Sequence, residues 1–177
     1  MLALRQMNIK IIPSNIEYAQ LLHQWRNEPI TLKFNPVKSR SLGELQEILS
    51  KTPVELAPLD KTVSQRWFIS VEGNLVGTVS MSEINSMMGT AEIGYMIGEA
   101  YHGRGIATEA LKLWTSMIFE NTDIRKLTAF VAEQNLASIR VIEKVGYKRE
   151  GLLREHYLVQ NKPTNQIIFG LLCKEWI

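Results

Sequence analysis

The chain is poor in several kinds of residue, and each shortage excludes something. Only one of its 177 residues is cysteine, so no internal disulfide can staple the fold. That residue, Cys173, lies in the apolar run 167–173, where inert packing as a buried small hydrophobe is its expected role. There are three histidines, and neither His23 nor His156 has a Cys, Asp or His at ligand spacing, so no metal site is expected. The net charge is only +2 and the basic residues are scattered, so neither nucleic acid nor an anionic membrane surface is implied as a partner. No apolar run approaches the roughly 18 residues of a membrane span. The opening MLALRQMNIKII also lacks a long hydrophobic region, so a cytoplasmic location is expected. Internal repeats, low-complexity tracts and linkers are missing too, and no G-x-S-x-G turn precedes a Ser-His-Asp order that would support an acyl-enzyme.

What remains is an ordinary globular composition, 45% hydrophobic and 21% charged, expected to fold as a single domain over residues 1–177. Residues 4–12 read as a first strand ending at Pro13. Ser14 or Asn15 then caps a helix with apolar positions Ile16, Ala19, Leu22 and Trp25, expected to end near Asn27 and Pro29. Ser41 and Glu44 form a capping-box pattern before Leu45, Ile48 and Leu49. Residues 51–65 read as a loop, either a plain connector or one shaping a substrate entrance.

A hairpin follows, with strands at 66–72 and 75–84 around Gly73-Asn74, and then a strand at 91–97. From Ile106 to Phe119 the period becomes helical, with Ala107, Ala110, Leu111, Trp114, Met117 and Ile118 on one stripe. A strand at 126–132 leads to a helix begun by Asn135 and stopped by Gly146, and strands at 147–158 and 166–172 close the chain. The mixture predicts a three-layer α/β or α+β domain.

Its chemistry is concentrated between Glu92 and Tyr147. A strand ends at Gly98, and His102-Gly103-Arg104-Gly105-Ile106-Ala107-Thr108 then opens the long helix. Two glycines around one residue let successive N–H groups turn toward a common point, where the helix adds its positive end. Such a site suits a pyrophosphate, the alternative being a glycine-rich turn that merely starts a helix. Dinucleotide binding of the G-x-G-x-x-G kind is not expected, because position 108 is Thr and the loop follows a late strand.

These residues resemble the GNAT superfamily of N-acetyltransferases, and within it the RimJ/RimL-type branch. YHGRGIATEAL is similar to the family's acetyl-CoA loop, with His102 standing where Gln or Arg is usual. AEQNLASIRVIEKVGYKREG resembles a second signature, carried by Asn135, Ser138, Lys144, Gly146 and Tyr147. WRNEP near Trp25 and the ending FGLLCKEW are also similar, so the resemblance covers essentially the whole chain. Asn165 stands where many branch members have an acid. The resemblance implies a mostly antiparallel sheet of about seven strands with about four helices. It also implies a parallel pair, strands four and five, that splays to admit the pantetheine arm of the co-substrate.

The implied activity is N-acetyl transfer from acetyl-CoA to a primary amine by direct attack in a ternary complex, the acceptor being a protein N-terminal α-amine. A small amine such as a polyamine or aminoglycoside is the alternative acceptor, and a non-catalytic acetyl-CoA-binding module the alternative class. An alkylamine, with a pKa near 10, or an α-amine, with one near 8, is largely protonated at neutral pH and must lose a proton before it attacks. Glu92 is the first candidate base and Glu83 the second, each with a solvated strand acid as its other reading. A backbone N–H from about Ile97 or Gly98 would meet the carbonyl oxygen. The resemblance places Ser138 near the departing sulfur and Asn135 on the CoA arm, beside ordinary helix capping for both. Arg104, Arg140 and Lys144 are candidate partners of CoA phosphates, with solvated helix charge as the alternative. A monomer and a homodimer are both compatible with the sequence.

Overall fold

The structure, a computed structural model, describes residues 7–35, 38–56 and 64–176. The start of the first expected strand and the middle of the expected loop at 51–65 lie outside the described residues.

Seven strands form one sheet in the order β1-β2-β3-β4-β5-β7-β6: β1 (Ile9–Pro13), β2 (Gln65–Val71), β3 (Asn74–Asn85), β4 (Thr90–Ile97), β5 (Lys126–Ala132), β6 (Lys148–Val159) and β7 (Lys162–Leu172). Every neighbouring pair is antiparallel except β4 and β5. Those two pair over only three positions, Thr90 with Lys126, Ala91 with Leu127 and Glu92 with Thr128, although β4 runs on to Ile97 and β5 to Ala132. The sheet therefore opens along the upper halves of its two middle strands, as the resemblance implies.

The α-helices are α1 (Ala19–Arg26), α2 (Pro29–Phe34), α3 (Leu42–Lys51), α4 (Ile106–Asn121) and α5 (Leu136–Val145). Among the described residues one helix more than the expected four is present. The extra one is α2, because Pro29 is not a stop: a proline at the first helical position loses no hydrogen bond and has a suitable φ. The helix expected from Ser14 or Asn15 begins as a 3₁₀ turn over Ile16–Tyr18 capped by Asn15, and Ile16 stays exposed. Ser41 and Glu44 form the expected capping box of α3.

Core packing divides by sheet face. On one face α4 and α5 bury Ile106, Ala110, Leu111, Trp114, Ile118 and Ile142 against Val79, Met81, Ile93, Leu127, Ala129 and Phe169. The stripe on α4 is shifted slightly from expectation, since Thr115 is buried and shares a hydrogen bond with the Tyr147 hydroxyl at 3.2 Å, while Ala107 and Met117 are only partly buried. On the other face α1 and α3 cover Phe68 with Leu22, Trp25, Leu45 and Leu49. Each such fully buried side chain contributes on the order of 1.5–3 kcal/mol. The α4 helix ends where the Asn121 amide and Thr122 hydroxyl donate back to the carbonyls of Met117 and Ile118. Cys173 is half-buried in a turn after β7, outside the strand, so it is not the fully buried packing residue that its apolar run predicts.

Candidate active site

A cleft of about 440 Å³ lies at the opening between β4 and β5. Its walls are the upper half of β4, the loop before α4, one side of α5 from its N-cap to Lys144, and α2. Of the cofactor residues predicted from sequence, Ile97, His102, Gly103, Arg104, Gly105, Ile106, Ala107, Thr108, Asn135, Ser138, Arg140 and Lys144 all line it.

Gly98 does not. Its N–H donates to the Val76 carbonyl at 2.9 Å, and it packs so closely on Trp25 that a Cβ there would sit 2.5 Å from the indole nitrogen. Antiparallel pairing alternates inward and outward backbone groups along a strand. With Gly98 bonded to β3 and Ile97 paired with Gly77, the backbone groups of Ile97 and Tyr95 point the other way, into the opening toward β5. The Ile97 carbonyl is met there by the His102 ring, whose Nε2–H donates to it at 2.8 Å. His102 thus anchors the loop to the end of β4.

The loop folds around two left-handed residues, Gly103 at φ 74° and Gly105 at φ 77°. A left-handed backbone is costly for any residue with a Cβ, which explains glycine at both positions. Gly105 is the N-cap of α4 and offers no side-chain oxygen to the helix start. Among the described residues, the amides of positions 103–108 donate to no protein acceptor. Some orphan donors are expected of any helix start. Here they are joined by the loop's own, in a concave wall, with the helix's positive end behind them. An oxyanion of pyrophosphate type fits this lining, with Arg104, Arg140 and Lys144 at its rim. Arg104 is held over the Tyr101 ring at 5.7 Å and donates to the Ala100 carbonyl.

Asn135 caps α5, its Oδ1 accepting from the Ser138 N–H at 3.1 Å. The Ser138 hydroxyl is 2.8 Å from the hydroxyl of Tyr95 on β4, so the two bridge the opening. Burial pushes the Tyr95 phenol up to about 12, offset in part by the bond to Ser138, so it stays protonated at neutral pH. Sequence reasoning missed Tyr95 because its partner lies 43 residues away. It missed the α2 wall, with Thr31 and Phe34, because it read Pro29 as a stop.

The two predicted acids stand lower on the sheet, and neither lines the cleft. Glu92 is on β4 at the last paired position before the opening, on the same face as Met96. Gly94 alone lies between them on that strand and face, and the space a side chain would take there is filled by the Ser80 hydroxyl of β3, 2.9 Å from where a Cβ would stand. Burial, and secondly the charge of Glu83, raise the Glu92 carboxyl above its ordinary value. Glu83 sits at an irregularity of β3 with φ 47°.

The raised pKa has a checkable consequence. Between the ordinary value and the raised one, the unfolded chain loses the Glu92 proton before the folded one does, so stability falls as pH rises through that window and stays lowered above it. Glu92→Gln is therefore expected to raise the unfolding temperature at about pH 7 and to leave it unchanged at about pH 4. Scanning calorimetry at both values checks this, and an equal shift at both would remove Glu92's charge from the account.

Asn165 donates to Glu133 Oε2 and accepts from the Glu155 N–H, each at 2.8 Å. An acid at position 165 would face Glu133 and lose one of these bonds, so the amide here has a local structural reason. Among the described residues no group of three or more His, Cys, Asp or Glu is placed to hold a metal, and no helix is long and apolar enough to cross a membrane.

This geometry has counterparts. A probable N-acetyltransferase of Bacillus subtilis, YjcK, is 38% identical over 106 residues, 59% of each chain. The match spans less than two thirds of the length of the first curated relatives. Spermidine N(1)-acetyltransferase of Escherichia coli K12 is 25% identical over 163 residues, covering 90% of this chain and 83% of the relative. Among solved structures, RimL, a ribosomal L7/L12 α-N-protein acetyltransferase in complex with coenzyme A, superposes with a TM-score of 0.83 at 16% identity over 98% of both chains. The acetyltransferase (GNAT) domain family matches residues 9–148, most of the chain, and the chain therefore belongs to the GNAT acetyltransferase family.

Proposed function

We propose that this protein transfers the acetyl group of acetyl-CoA to a primary amine by direct attack in a ternary complex, the acceptor being a peptide N-terminal α-amine. The observation that carries the reading is the run of unbonded amides at 103–108 opening onto the gap between β4 and β5. One end of the cleft holds a diphosphate, and the other gives an extended arm backbone partners, as strand addition does. Acetyl-CoA brings an activated thioester carbonyl to that gap.

The chain's own groups do the rest. Glu92 takes the proton of the incoming ammonium through water, along a path past Gly94 that the Ser80 hydroxyl lines. Its raised pKa brings it nearer to neutral pH, where a base works best. Glu83 keeps that pKa raised by its charge and is the second candidate base. The Ile97 N–H, aimed into the gap, donates to the carbonyl oxygen as charge develops there. Asn135 spends its Oδ1 on the helix cap, which leaves its NH₂ to bind the CoA arm. Ser138 and Tyr95 supply a hydroxyl donor at the sulfur.

Likeness to a spermidine acetyltransferase over most of the chain favours a second acceptor, a small polyamine. Calorimetric titration with acetyl-CoA, followed by a panel of N-terminal peptides and small amines with thiol release as readout, tests both. Binding together with release for a peptide is the expected result. Release only for polyamines selects the second reading, and binding without release for any amine leaves a non-catalytic CoA-binding module.

A further inference from the structure

Three arginines that form no ion pair among the described residues gather beside the cleft. Arg26, in the last turn of α1, donates from Nη2 to the Lys38 carbonyl at 2.9 Å, which ties that helix to the segment leading into α3. Arg66, on β2, projects to the same sheet face as Phe68, whose ring packs 6.2 Å from that of Trp25. Its Nη1 donates to Thr78 Oγ1 at 2.9 Å. Thr78 is paired in register with Met96, a wall of the cleft, so one interstrand spacing of roughly 5 Å separates the Arg66 anchor from that wall. Arg40 lies within electrostatic reach of both Arg26 and Arg66.

Among the described residues none of the three forms an ion pair. Lys38 adds a fourth positive charge nearby, and Glu44, an acid within electrostatic reach of Arg40 and Lys38, has its carboxylate hydrogen-bonded to the Ser41 backbone and hydroxyl in the α3 capping box, so its single negative charge offsets only part of the cluster. Burial and mutual repulsion lower the Arg66 pKa to about 10, still far above neutral, so the charge is kept. Three partly desolvated guanidinium groups held together oppose folding unless an anion joins them. Their planar forks match carboxylate and phosphate oxygens in pairs.

We infer that Arg26, Arg40 and Arg66 form an oxyanion subsite on the acceptor side of the cleft, so that the preferred acceptor is an amine carrying a carboxylate or phosphate, and polycationic amines are disfavoured. The assignment to an acceptor rests on the acetyl-transfer reading; the anion site stands on the arginines alone.

Two amidated peptides, Ser-Glu-Glu and Ser-Gln-Gln, separate the cases when compared as acceptors for the intact protein, with Arg66→Gln and Arg40→Gln beside it. The wild type is expected to favour the acidic peptide by about tenfold or more in kcat/KM, through KM, the scale of a charge-assisted pair. Each variant should lose that preference while keeping its rate on Ser-Gln-Gln, and inorganic phosphate should inhibit only the acidic peptide. Should Arg66→Gln fail to fold, Arg40→Gln, in the segment before α3, carries the same test. Equal use of both peptides by the wild type, or a preference that survives both substitutions, overturns the inference. If no amine releases thiol, the transfer reading fails, and the subsite is judged by calorimetric binding of the same peptides and of phosphate to CoA-saturated protein. Acidic-peptide binding lost in the variants then supports it. No binding, or binding of phosphate alone, overturns it.

Discussion

Gly105→Glu is expected to abolish acetyl-CoA binding, with no measurable heat at concentrations that saturate the native protein, a loss of about 100-fold or more. Position 105 has φ 77°, and a Cβ there meets nothing within 4 Å, so the substitution costs left-handed strain and no clash. That strain is worth about 1–2 kcal/mol, enough to lower the unfolding temperature by some degrees and not enough to unfold a domain of this size. The new carboxylate, in contrast, stands among the free amides of 103–108 and takes the place of the ligand's own negative charge. Gly105→Ala separates the two effects, since it carries the strain without the charge and should still bind, more weakly. A Gly105→Glu protein that binds acetyl-CoA as the native one does would remove the loop as the diphosphate site. Loss of equal size in both variants would place the effect in backbone geometry.

Much of this was readable from sequence because it is local. The strand at 126–132 falls where expected, since alternation and the flanking polar residues bound it tightly. The loop before α4 was legible for the same reason: glycines at 103 and 105 state their backbone requirement in the residue type itself. Other features were hidden by sequence distance. Strand β7 starts at Lys162, four residues before the expected Gln166, because Pro163 reads as a breaker. In the fold it pairs only with Leu158 on β6, beyond the stretch facing β5, where a missing N–H costs nothing. The turn before it uses Gln160 and Asn161 at positive φ, a hairpin turn without glycine and so without its usual sign.

The site divides in the same way. Gly98 was a reasonable guess as an oxyanion donor, but the direction of an N–H depends on register, and register is a property of two strands. Tyr95 and the three arginines are brought together only by tertiary packing: Arg26, Arg40 and Arg66 come from a helix, a connecting segment and a strand. A scattered basic composition therefore did not preclude a local basic cluster.

Ser138→Ala is expected to lower kcat by about ten- to a hundredfold, at the lower end of general-acid effects, while the acetyl-CoA dissociation constant changes by less than about threefold. Binding is spared because the helix cap does not use the hydroxyl: Asn135 Oδ1 takes the Ser138 N–H, which alanine also provides. Catalysis is affected because the two hydroxyls of Ser138 and Tyr95, 2.8 Å apart, hold two protons between them. One makes the bond joining them, and the other is free to point into the cleft, whichever residue carries it. The phenol, pushed up to about 12 by burial, does not lose its proton in the physiological range, so this count holds from acid to mildly basic pH. Tyr95→Phe distinguishes the two carriers. If Ser138 faces the sulfur and Tyr95 only orients it, Tyr95→Phe should cost several-fold less than Ser138→Ala, and Ser138→Thr should restore most of the rate. If Tyr95 faces the sulfur, the order of the two losses reverses. Equal reduction of kcat and affinity in Ser138→Ala, under single-turnover conditions that isolate the chemical step, would assign this hydroxyl pair to holding the ligand and leave the departing sulfur to be protonated by solvent.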